Sequence, residues 1–394
     1  MVFSPAVAQQ VPVAQQAAND AREEVDEKQA IGKPSTNRVI SGQDADPVAY
    51  WISQLSHEHY LRREKASQKL KELGPVVIPA LTVAINTGDL EVIERSVAVI
   101  SNFASSLAPA DDGNAWETLN DIASNSVGRR ALAAKAARKE VFEERCIQAK
   151  SLLAAAGVFI GEGDFTVAAR REPLVSFVEV GEKWNGDLKV LYWLKWVTGV
   201  DHVLVTGTAI RGIVFRNVVK MPDLKGITIA DSEPGVVIDD EVFTVLGEMQ
   251  RIESLDIRYV EVTERQSDII ASLPIRESLT LMGTGIKSEA VDSLRKRLAG
   301  LEIHYRMGGF LGVSCSDNTR ACMVMGVDPG TAAVEAGLMY RDVIVGVGED
   351  EVTSFSTLQQ AINKHVAGEE IEISFLRGSK LMKAKVRLGR LKDN

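Results

Sequence analysis

No apolar run in this chain approaches the ~20 residues that a bilayer-spanning helix needs, so no transmembrane segment is expected. No basic run interrupts the net charge of −9. The field of such a chain repels nucleic acid and anionic lipid, and neither is expected as a partner. Cysteine is scarce, with three residues, and the five histidines are scattered, so no metal site and no cofactor is expected. There is no Gly-x-Ser-x-Gly elbow and no His-Glu-x-x-His helix. None of His57, His59, His202, His304 and His365 neighbours a nucleophile in a protease-like context. Gly161-Glu162-Gly163-Asp164 reads as a linker turn, too short for a phosphate loop. The expectation is a noncatalytic protein.

What is present is length and pattern. The chain of 394 residues exceeds one ordinary core, and its 45% apolar share suits a globular, multidomain protein. Residues 1–45 are rich in Gln, Ala, Asp and Glu and read as a disordered leader that cannot bury enough surface to offset ordering entropy. Ala6-Val7-Ala8 before Gln9 fits a signal-peptidase site. Met1 to Pro5 is too short for the rest of a signal peptide, so either the true start lies upstream or the match is chance. Export would place the protein in a periplasmic or extracellular compartment; otherwise it is cytoplasmic.

Residues 46–160 carry a helical period. Asp46-Pro47 offers an N-cap and a first-turn proline ahead of Trp51, Ile52 and Leu55. Tyr60 to Gly74 reads as a helix with a glycine stop, and Pro75 to Ile85 as the next, with Ile78, Leu81, Val83 and Ile85 apolar. Glu91 to Phe103, Trp116 to Ala123 and Arg130 to Ala156 continue the series. With Arg63-Glu64-Lys65-Ala66, the order resembles HEAT-type repeats; a plain helical bundle is the alternative.

Between 174 and 305 the period changes to two. The pairs Val178/Val180, Val203/Val205, Ile227/Ile229, Leu255/Ile257, Leu279/Leu281 and Leu301/Ile303 begin 22 to 28 residues apart. Val242 to Leu246 and Val291 to Leu298 supply intervening helices, and Thr206-Gly207-Thr208-Ala209-Ile210 and Met282-Gly283-Thr284-Gly285-Ile286 recur at matching offsets. The region resembles leucine-rich repeats. The family often has Asn in the turn; here Thr208, Ser232, Val260 and Thr284 stand there, and Val260 cannot bond backbone, which predicts an irregular repeat. Leu204, Thr206, Thr228, Ala230, Asp256, Arg258, Thr280, Met282, Glu302 and His304 would face the concave side, either as a binding surface or as a solvated one.

Residues 306–394 hold Phe310-Leu311-Gly312-Val313, Asp328-Pro329-Gly330 and Glu335-Ala336-Gly337-Leu338, then Asp342-Val343-Ile344 and Arg377-Gly378. This set resembles a bacterial PDZ domain of the kind that accompanies HtrA-like proteases: a β-sandwich or barrel with two helices. The resemblance implies capture of protein or peptide C-termini, or of extended peptides. Phe310, Leu311, Gly312 and Val313 would form the carboxylate loop, and Val313, Ser314 and Cys315 the strand that pairs with the peptide. Leu358 and Ile362 would wall the pocket, although ordinary core is their alternative reading. Arg341-Asp342 and Gly348-Glu349 depart from the usual Gly-Asp and Asn-Gly, which puts local turn geometry in doubt.

Cys315 and Cys322 flank Asp317 to Arg320, which reads as a hairpin loop that would set the thiols opposite each other. An oxidising compartment would let them bridge; two small strand residues are the alternative. Cys146 reads as a buried helical thiol. The order of regions resembles planctomycete-type multi-repeat proteins. The function expected is a noncatalytic scaffold, with a regulatory or substrate-delivery subunit of a separate protease or envelope complex as the alternative.

Overall fold

Apolar residues three and four apart wind the first third of the chain into helices. The structure is a computed structural model that describes residues 46–167, 170–231, 238–316 and 321–391. The expected leader at 1–45 with Ala6-Val7-Ala8, the turn residue Ser232 and the loop Asp317 to Arg320 lie outside the described residues. The chain divides at Tyr50/Trp51, and ahead of that point only 46–50 are described. Helix α1 (Pro47–Ser53) starts where Asp46 accepts a bond from the Val48 amide at 3.0 Å.

Helix α2 (Tyr60–Leu73) ends at Gly74, whose φ of +80° a Cβ would penalise. α3 (Ile78–Thr87) follows a short 3-10 turn. It buries Ile78, Leu81, Ala84 and Ile85, while the apolar Val83 is exposed. α4 (Leu90–Ser106) packs against α2, α3, α5 (Ala115–Asn125) and α6 (Arg129–Ala155). The Arg63-Glu64 motif ties helices together: Arg63 meets Glu91 at 2.8 Å, and Glu64 meets Arg95 at 3.2 Å.

Alternation then builds a seven-stranded sheet in chain order. β1 (Phe159–Val167) and β2 (Arg170–Val180) form an antiparallel hairpin. The expected linker turn at Gly161 to Asp164 therefore lies inside β1, with Gly161 opposite Phe177 and Gly163 opposite Val175. Two glycines in four residues mimic a turn, but here they sit within a paired strand.

β3 (His202–Thr206), β4 (Gly226–Ala230), β5 (Ile252–Arg258), β6 (Ile275–Met282) and β7 (Glu302–Arg306) continue in parallel. Val178, Val203, Ile227, Leu255, Leu279 and Ile303 align in one row across the sheet. The last pair is thus Ile303/Tyr305 and not Leu301/Ile303. Leu301, Ile303 and Tyr305 offer two frames, and Leu301 is taken up by a turn back to Leu298. α7 (Gly212–Val218), α8 (Asp240–Leu246), α9 (Glu264–Ile270) and α10 (Ser288–Arg297) stack in sequence, and their apolar residues join the strands in one core.

Tyr259, just before Val260, takes φ +56°. The buried Thr284 hydroxyl has no partner among the described residues. The second face also differs from expectation. Leu204, Thr228, Asp256, Arg258, Thr280 and Met282 are buried rather than solvated. Leu204 packs with Phe177, Val175 and Ala230, and Asp256 pairs with Arg258 at 2.8 Å along the strand. Of the other expected positions, Thr206, Ala230 and His304 are half-buried and Glu302 is exposed.

The last strands form an antiparallel sheet whose two ends are brought together by a bridge between Phe310 and Gly389. They are β8 (Val313–Cys315), β9 (Cys322–Val327), β10 (Val343–Val347), β11 (Asp350–Glu351), β12 (Glu370–Arg377) and β13 (Lys380–Arg387). The order is β13-β12-β10-β9-β8, with β11 on β10, so β8 is an edge. α11 (Ala332–Glu335) and α12 (Phe355–Ile362) flank it, and Gly337 leaves α11 at φ +69°. Arg341 takes φ +70°, so the turn keeps the left-handed conformation a glycine would supply. Gly348 does the same at φ +53° in the β10–β11 hairpin.

Candidate functional site

The site begins with a loop whose carbonyls are already used. Phe310 exchanges two backbone bonds with Gly389, at 3.0 and 2.9 Å. The Leu311 carbonyl accepts from the Ala333 amide at 2.8 Å, and the Gly312 carbonyl from the Asp328 amide at 3.0 Å. Among the described residues, no acceptor meets the amides of Leu311 and Gly312. Gly312 is buried at φ +84°, and a Cβ there would lie 2.3 Å from the Thr331 hydroxyl. The loop therefore requires glycine both for its backbone angle and for lack of room.

Strand β8 leaves this loop with one side open. The bond from Asp328 to Gly312 makes Val313–Val327 a non-hydrogen-bonded pair. The N–H and C=O of Val313 therefore point away from β9, toward the open edge.

Between that edge and α12 lies a notch of about 70 Å³. The expected Phe310, Leu311, Gly312, Val313, Leu358 and Ile362 all line it. Leu358 and Ile362 are nonetheless buried members of the domain core, so they form its floor rather than an exposed wall. The wall is Phe355 and Gln359 on the adjacent stripe of α12 and Asn363 at its C-cap, all half-buried. Ser314 is exposed and Cys315 half-buried; neither lines the notch, and both continue along the β8 edge. Cys315 Sγ lies 3.1 Å from Cys322 Sγ, and neither residue is in a disulfide.

Reading the sequence missed Phe355, Gln359 and Asn363, although their i, i+4 spacing marks a second stripe on α12. It also missed Arg306, the last residue of β7 in the other sheet, which lines the same notch. Burial lowers the pKa of this guanidinium, against an opposing effect of Tyr259, and the positive charge of Arg258 adds a smaller lowering. No carboxylate among the described residues pairs with Arg306. It also borders a wider cleft of about 730 Å³ at the junction of the two sheets. Among the described residues, no group of His, Cys, Asp and Glu is placed to hold a metal ion, and no helix is long and apolar enough to cross a membrane.

Residues 309–388 match the PDZ domain family. No curated protein matches the chain. Solved structures similar to part of it include the HtrA-type protease AlgW with decapeptide, 20% identical with a TM-score of 0.23, over 28% of this chain and 37% of that one. Another is the serine endoprotease from Yersinia pestis, 20% identical with a TM-score of 0.21, over 27% of this chain and 36% of that one. The chain thus spans little more than a third of the length of these structures.

Proposed function

We propose that this protein is a noncatalytic interaction scaffold whose PDZ domain captures peptide C-termini. One convergence supports the reading: the amides of Leu311 and Gly312 and the guanidinium of Arg306, which have no partner among the described residues, and the open edge of β8 all meet at an apolar notch. An oxyanion is what such donors lack, and an extended chain is what such an edge lacks. The notch suits one small aliphatic terminal side chain. Its burial contributes about 1.5–3 kcal/mol, and bonds to a charged carboxylate about 1.5–3 kcal/mol each. Association costs at least ~4 kcal/mol, so capture is weak and reversible. The helical region reads as HEAT-like and the parallel sheet as leucine-rich repeats, which together would present a bound partner on a rigid support. The net charge of −9 argues against nucleic acid as that partner.

The test is fluorescence anisotropy on the full chain with peptides ending in Ala, Val or Leu, each as free acid and as amide. Amidation is expected to weaken binding roughly 10- to 100-fold, the equivalent of one or two charge-assisted bonds. Equal binding of acid and amide would remove the carboxylate role.

A further inference from the structure

Cys315 ends β8 and Cys322 opens β9, so the two close thiols bracket the outer end of the open edge. The ladder is irregular there, with a register shift between Ser314 and Cys315. Cys322 is fully buried and Cys315 half-buried. We propose that Cys315 and Cys322 form a thiol–disulfide site that reacts with small disulfides, and that closing it fixes the edge strand in its peptide-receiving form. The second half of this inference rests on the peptide-capture reading; the first half does not.

The chemistry has a defined order. The contact with Cys315 and then burial push the Cys322 thiol pKa up, so Cys315, which solvent reaches, reacts first. Its thiolate attacks one sulfur of the small disulfide, giving a mixed disulfide and releasing one small thiol. The Cys322 sulfur then attacks the Cys315 sulfur, and the second small thiol leaves. The protein loses two electrons and two protons, and the small disulfide gains both. Cys146 lies on α6, half-buried, with its thiol pKa raised by burial, and takes no part.

Closure ties Cys315 covalently to its neighbour strand beside the register shift. A strand fixed before binding loses less freedom on binding, which slows peptide release.

The experiment uses the full chain in oxidised and reduced glutathione mixtures at mildly alkaline pH, with thiol counting and intact mass. Wild type is expected to fall from three thiols to one. Cys146→Ser should lose its remaining two, and Cys322→Ser should retain glutathione on Cys315. Survival of all three thiols in excess oxidant, or a loss that requires Cys146, overturns the site. Peptide off-rates supply the second readout, expected to slow roughly threefold to tenfold on oxidation. If the bond forms and the off-rate is unchanged, the strand-fixing half is overturned. If the bond forms and neither state binds peptide, peptide capture fails while the thiol site stands.

Discussion

Single residues decide whether the loop can act. Gly312→Val adds a branched side chain where a single Cβ already meets Thr331, at a backbone angle that costs a non-glycine residue about 1–2 kcal/mol. Peptide binding by the full chain should vanish in anisotropy, while the parallel sheet keeps its circular dichroism. Arg306→Ala should weaken acid peptides roughly tenfold or more and leave amidated peptides unchanged. Arg341 pays for φ +70°, so Arg341→Gly should raise the urea midpoint by an amount equivalent to about 1 kcal/mol. Asp342 is buried, and its pKa is lowered chiefly by its bond to Arg377, helped by the Met339 amide and the Arg377 charge against the opposing effect of burial. Its stabilisation is therefore complete above the unfolded carboxylate pKa of ~3.9 and disappears as pH falls through the lower folded value. Denaturant midpoints measured from neutral to strongly acidic pH should fall in that window, and Asp342→Asn should flatten this part of the curve.

At the scale of elements, the geometry of the notch depends on where α12 starts. Ser354 and Thr357 form a reciprocal cap at its N-terminus, with the Ser354 hydroxyl accepting from the Thr357 amide at 3.2 Å. Ser354→Ala should cost about 1 kcal/mol and loosen the wall formed by Phe355 and Gln359, read as a lower peptide affinity with unchanged carboxylate preference. In the helical region, buried Arg145 on α6 bonds Asp112 and the Ala104 carbonyl, each at 2.6 Å, and lies 4.4 Å from the Trp196 ring centre. Asp112→Ala strands that cation in the interior, at a cost of about 3–5 kcal/mol, which a thermal unfolding scan would show as early loss of helix signal.

Across the whole molecule, the two sheets are joined by more than the chain between them. The Tyr259 hydroxyl donates to the Gly308 carbonyl at 3.0 Å and accepts from the Leu391 amide at 2.6 Å. Tyr259, which follows β5, thus also contacts the end of the PDZ domain. Tyr259→Phe leaves both backbone groups without that partner, at about 1–3 kcal/mol each. Limited proteolysis should then cut near Met307, and the PDZ domain should unfold in a separate transition.

Period and punctuation in the sequence determined the change from helices to strands and most helix and strand positions, because a buried face must repeat with the geometry of its element. Gly74, Gly312 and Gly337 were legible for the same kind of reason, since few other residues adopt their angles. The strand pairing of Gly161 and Gly163, the frame of Ile303/Tyr305 and the burial of the second sheet face were decided only when distant strands met. Arg306 illustrates the limit most clearly. Nothing local marks a basic residue at the end of β7 as part of a pocket built by Leu311 and α12. Arg306 reaches the notch only because the fold brings the last parallel strand against the PDZ loop.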